Sequence, residues 1–167
     1  GSTNTMIGYG AGNDFDTENH NLGIGTNALG GSIAGGEYNV AVGNYTLDAL
    51  TSGDKNTAIG YNAGTAITSS NNCTIVGHLA ADVLESGNAN TAIGDEALTD
   101  CTSGSGNTAL GAVAGDNLTT GGQNLFLGQD TKVSTGAGSY QFVIGHNVTG
   151  AGNSTTTIGY DTTEIAT

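Results

Sequence analysis

A parallel β-solenoid is the fold this sequence predicts, on three observations. A short phrase recurs ten times, clearest as Asn56-Thr57-Ala58-Ile59-Gly60 and Asn90-Thr91-Ala92-Ile93-Gly94. Its glycines, from Gly8 to Gly159, are spaced 17, then 18, then 17 six times running, and finally 14 residues apart. The apolar clusters of each phrase are about four residues long and bracketed by Gly, Asn and Ser, too short for helices. A period this strict means one structural unit per copy, stacked on the last. The expectation is an all-β parallel β-roll of about ten 17-residue coils, and at ~4.8 Å per coil a rod of about 45–50 Å. Gly1-Ser2 reads as a cloning remnant, so residues 1–3 are set apart from a single repeat domain over 4–167.

Each element of the coil follows from its phase relative to the glycine. One residue before it stand Ile7, Ile24, Val42, Ile59, Val76, Ile93, Leu110, Leu127, Ile144 and Ile158. Every copy is aliphatic there, which predicts the core ladder. Three before it the residues are mostly Thr or β-branched and share that face, because strand side chains alternate. Two before it stand small or apolar residues, including Ala41, Ala58, Ala92 and Ala109. A water-facing strand would be polar there, so this face is expected to meet other copies of the chain in a homotrimer. Seven after the glycine, Phe15, Leu50, Ile67, Leu84, Cys101 and Leu118 form a second apolar ladder, joined by Ile33 across the 18-residue coil. This predicts a second short strand in each coil.

Two turns join the strands, one beginning at the phrase glycine and one rich in Gly and Ser, as in Ser103-Gly104-Ser105-Gly106-Asn107. The asparagine that opens most phrases is expected to hydrogen-bond along the stack as a structural ladder. Cys73 and Cys101 occupy different phases, so they read as two small buried hydrophobes rather than a disulfide.

Composition narrows the function. The chain has 167 residues, with 30 glycines, no proline and a formal net charge of −13. Lys55 and Lys132 are its two basic residues, so neither nucleic-acid binding nor charge-driven membrane attachment is expected. No stretch reaches the ~18 apolar residues of a membrane span, and no signal peptide is visible.

The phrase, with its two apolar ladders and a small residue between, resembles the head repeats of trimeric autotransporter adhesins. It is similar too to the Asn-Thr-Ala-Ile-Gly arrays of phage tail fibres. The resemblance covers about residues 4–160. It implies a left-handed parallel roll, three chains side by side, on a virion tail or other extracellular particle, or alternatively on a bacterial cell surface. Thr57, Thr91 and Thr108 stand where the adhesin heads usually carry an apolar residue, and the coils here are longer. The tail-fibre form fits both departures better.

The expected role is a structural shaft or a segment binding a host-surface glycan or protein receptor. The turn after the phrase glycine carries Tyr9, Tyr61, His78 and Tyr160, the receptor-contact candidates, because amphipathic side chains suit recognition. Asp14, Asp16 and Glu18 alternate in one loop and offer hard oxygen ligands to calcium, without the EF-hand spacing. No other cofactor is expected. The carboxylate pairs Asp95/Glu96 and Asp82/Glu85 raise glycan cleavage as an alternative, but few aromatics are present to stack sugar and no enzyme activity is expected. Thr-rich solenoid faces can bind ice, but Thr sharing a face with core aliphatics is expected to point inward.

Overall fold

The structure, a computed structural model, describes residues 3–13, 18–31, 36–161 and 163–164. It is a parallel β-solenoid of one sheet with eleven strands in sequence order. They are β1 (Thr5–Ile7), β2 (Leu22–Ile24), β3 (Val40–Val42), β4 (Thr57–Ile59), β5 (Thr74–Val76), β6 (Thr91–Ile93), β7 (Thr108–Leu110), β8 (Leu125–Leu127), β9 (Phe142–His146), β10 (Thr156–Tyr160) and β11 (Thr163–Glu164). Ten parallel strands give nine full turns between them, and β11 folds back antiparallel on β10. No helix occurs among the described residues. Equal phases pair: Thr57 with Thr74, Thr74 with Thr91, and Thr91 with Thr108.

The two strand faces are the reverse of the sequence expectation. Ala41, Ala58, Ile75, Ala92, Ala109, Phe126 and Val143, two before the glycine, are fully buried within the chain. The supposed core ladder faces out. Ile7 is 58%, Ile59 41% and Ile93 40% exposed, Leu127 and Ile158 are likewise exposed, and Ile24, Val42, Val76, Leu110 and Ile144 are half-buried. Ala41, Ala58, Ala92 and Ala109 therefore line the interior and are not available as a contact between chains.

The reason is volume. A 17-residue coil encloses little space, and much of it is filled from the turns. The position four after the glycine and the inward strand position of the same coil trade size. Leu29 accompanies Ala41, Leu47 accompanies Ala58, and Leu98 accompanies Ala109. Where that turn position is Gly64 the strand carries Ile75, and where it is Gly115 the strand carries Phe126. A Cβ on either glycine would lie 3.1 Å from the Ile75 or Phe126 side chain. Three coils depart from the exchange: Gly12 with Gly23 and Ala81 with Ala92 are small at both positions, and Lys132 accompanies Val143. Close packing leaves no room for a column of Ile and Thr on that side as well.

The second ladder is buried as expected: Leu50, Ile67, Leu84, Cys101 and Leu118 are all inaccessible. Phe15 and Ile33 lie outside the described residues. The ladder does not belong to a second strand, however. In the coils from Gly8 to Gly111 the residues two and four after the glycine are left-handed, as at Glu96 (φ 55°) and Leu98 (φ 56°). That conformation bends the chain into turns, yet it aims backbone groups along the axis. Ala81 N–H donates to Ala97 C=O at 2.9 Å, and Leu98 N–H to Ala114 C=O at 2.9 Å. Each coil-to-coil bond offsets the ~1–2 kcal/mol of placing an L-residue there.

The phrase glycine is demanded by the stack. Gly94 has φ 146°, and a Cβ there would collide with the Gly111 carbonyl of the next coil. The asparagine column closes the other corner. Asn107 Oδ1 accepts from Asn124 N–H at 3.1 Å, while its Nδ2 donates to Gly121 C=O at 3.0 Å. Asn39, Asn56, Asn90, Asn107 and Asn124 are buried, so these amides hold the fold and do not face a ligand.

Two outcomes test this packing. Gly94→Ala should lower unfolding free energy by about 3 kcal/mol or more in denaturant melts, from left-handed strain plus the collision. Ser70 occupies a buried glycine-type corner, and its hydroxyl has no hydrogen-bond partner. Ser70→Ala should therefore be neutral or stabilising by up to about 1 kcal/mol, and a clear loss of stability would refute that reading.

Candidate functional site

Turning the strands over puts a regular surface on the outside. Thr57, Thr74, Thr91 and Thr108 form one column, and Ile59, Val76, Ile93 and Leu110 run beside it in register. Toward the ends the Thr column gives way to Leu22 and Val40 on one side and to Leu125 and Phe142 on the other. Phe142 is 50% exposed. Neither column holds a charged residue in a chain of net charge −13. Single exposed aliphatics are ordinary, but a continuous apolar strip is not. This face is the first candidate site.

The second lies on the turn after the phrase glycine. Tyr61 and His78 sit on adjacent coils with rings 5.7 Å apart and 20° from parallel, and Tyr45 meets Tyr61 edge-on at 6.0 Å. His78 Nδ1 lies 3.0 Å from Asp95 Oδ1 on the next coil. Three aromatic or imidazole groups and a carboxylate thus form one exposed ridge. Tyr160 stands apart near the other end, stacked on His146 at 5.3 Å, with His146 Nδ1 3.2 Å from Asp161. Tyr9 is 85% exposed in the first coil. The four receptor-contact candidates therefore share a phase but form no single cluster; only Tyr61 and His78 touch.

The Gly-rich turn is better furnished than its glycines suggest. His20 and Tyr38 stack there at 4.9 Å and 8°, and Tyr140 is exposed. The extra residue of the 18-residue coil hides the alignment of His20 with Tyr38 in a strict 17-residue reading.

Of the calcium candidates, Asp14 and Asp16 lie outside the described residues. Glu18 is buried, and its backbone carbonyl accepts from Asn4 Nδ2 at 2.7 Å. Of the other carboxylates, Asp82 accepts from Thr99 Oγ1 at 3.0 Å. Lys132 lies 3.0 Å from Asp130 and 3.3 Å from Asp116, and hydrogen bonds to these two carboxylates raise its pKa. No described helix is long and apolar enough to cross a membrane.

Comparison with family models, curated proteins and solved structures finds no match.

Cys73 and Cys101 are free and buried. Cys73 takes an asparagine position, and its thiol donates to Gly87 C=O at 3.4 Å. Burial pushes both thiols up, Cys101 to about 11. Since the thiolate is the nucleophile, both should resist a thiol reagent at pH 8 in the native state and react fully once denatured. Rapid native labelling would contradict this packing.

Proposed function

We propose that this chain is a non-enzymatic structural rod that works as a homotrimer, serving as a shaft or receptor-binding segment of a phage tail fibre or similar extracellular particle. The observation that carries the proposal is the uncharged outward strip of Thr and aliphatic columns. Copies of a chain with net charge −13 repel one another, yet this face offers nothing to keep them apart. Identical flat faces covered by one another bury the strip, and closed symmetry limits growth. The partnered face is then the outward one, with Ile59 and Ile93 in the contact in place of the buried Ala58 and Ala92. The Tyr45–Tyr61–His78 ridge lies on a turn and suits a glycan or protein receptor. The head of a bacterial surface adhesin binding matrix or glycan is the alternative use of the same architecture. A glycan-cleaving spike is a third, resting on Asp82/Glu85 and Asp95/Glu96 alone.

One observation favours a second reading. The Thr57–Thr74–Thr91–Thr108 column faces outward, not inward as the sequence predicts, and a regular outward Thr column suits ice binding. The large apolar residues at both ends of that column interrupt it and favour association.

Light scattering separates the two. Association predicts a mass near three times the 16.4 kDa chain, and Ile59→Lys with Ile93→Lys should abolish it while the exposed positions spare the coil. A folded wild-type single chain at micromolar concentration would remove the assembly reading. Thermal hysteresis lost in Thr91→Lys would instead establish ice binding.

A further inference from the structure

His78 and Asp95 of the ridge stand beside Glu96, which the ridge does not use, and the three make a grouping of their own. His78 follows Gly77, while Asp95 and Glu96 follow Gly94, so the 17-residue interval places them side by side on adjacent coils. One imidazole nitrogen and one oxygen from each carboxylate lie within 4.8 Å of one another. This is the one such triad of His, Cys, Asp or Glu among the described residues. Around a tetrahedral ion bound at about 2.0–2.2 Å, ligand atoms stand about 3.3–3.6 Å apart, so modest side-chain rotation closes the set. The His78–Asp95 edge, at 3.0 Å, is already that short.

The surroundings hold the groups in place. Tyr61 stacks on the imidazole and limits its swing. Glu96 N–H donates to His78 C=O at 2.9 Å, which locks the two backbones together. No lysine competes for these carboxylates: Lys132 is engaged by Asp116 and Asp130, and Lys55 lies on the Gly-rich turn. His78 and Asp95 are both exposed, so water can complete the coordination.

We infer that His78, Asp95 and Glu96 form a surface site for a divalent transition-metal ion of the Zn2+ class, one ion per chain. A neutral imidazole with two carboxylates is a mixed nitrogen–oxygen set. It suits first-row ions that accept imidazole, whereas Ca2+ and Mg2+ prefer oxygen alone. Bound there, the ion bridges the coil beginning at Gly77 to the coil beginning at Gly94.

The test is calorimetric titration of the metal-free full chain with Zn2+ in a non-chelating buffer. The expected result is saturable binding of one ion per chain, not displaced by equimolar Ca2+, with a rise in melting temperature. His78→Gln and Asp95→Asn should each weaken binding at least about tenfold, with circular dichroism unchanged. His146→Gln, which alters the other His–Asp pair, should leave the affinity intact. Absence of saturable uptake at millimolar Zn2+ would overturn the site, as would an affinity unchanged in His78→Gln and Asp95→Asn.

Discussion

Everything in this molecule depends on how closely one coil can sit on the next. The phrase glycines set that distance. Their backbones stack directly, and no side chain fits between the Gly94 Cα and the Gly111 carbonyl. Once those backbones are in register, the strand hydrogen bonds, the left-handed turn bonds and the asparagine column all fall at one spacing. The left-handed residues, costly one at a time, become tolerable because each repeats the geometry of its neighbours and gains a bond along the axis.

The stack and one of its buried ladders were legible in the sequence, and the face that each strand turns inward was not. Periodicity, the glycine corners, the parallel register and the buried ladder of Leu50, Ile67 and Leu84 follow from spacing and residue type alone. Orientation of the strand does not, because both faces are apolar. The usual rule that the larger aliphatic points inward favoured Ile59 and Ile93, and it failed because the coil is too thin. The size exchange between Gly64 and Ile75, and between Gly115 and Phe126, was the usable signal. It ties the inward strand position to a residue eleven places earlier, outside the window in which strand alternation is read. The second strand was over-read for a related reason: a buried apolar position need not be extended.

The candidate sites divide in the same way. The phase of the ridge was visible from Tyr61 and His78, since side-chain variety at one turn position marks a solvent-facing column. Tyr45 was not, because it stands one residue later than Tyr61 in its own coil and reaches it edge-on. The grouping of His78 with Asp95 and Glu96 needed only the coil interval, but it spans two phases and so escapes a column-by-column reading. The outward strip could not be recognised until the strand had been turned over.

The strands lie across the rod and their hydrogen bonds run along it, each element pairing only with its neighbours in sequence. A load applied along the axis therefore meets those bonds one coil at a time, in peeling rather than in shear. Each 17-residue coil stripped from an end replaces ~4.8 Å of stack with about 55–60 Å of extended chain. A single solenoid pulled along its axis therefore lengthens coil by coil, whereas a surface packed along its side would oppose that peeling across many coils at once.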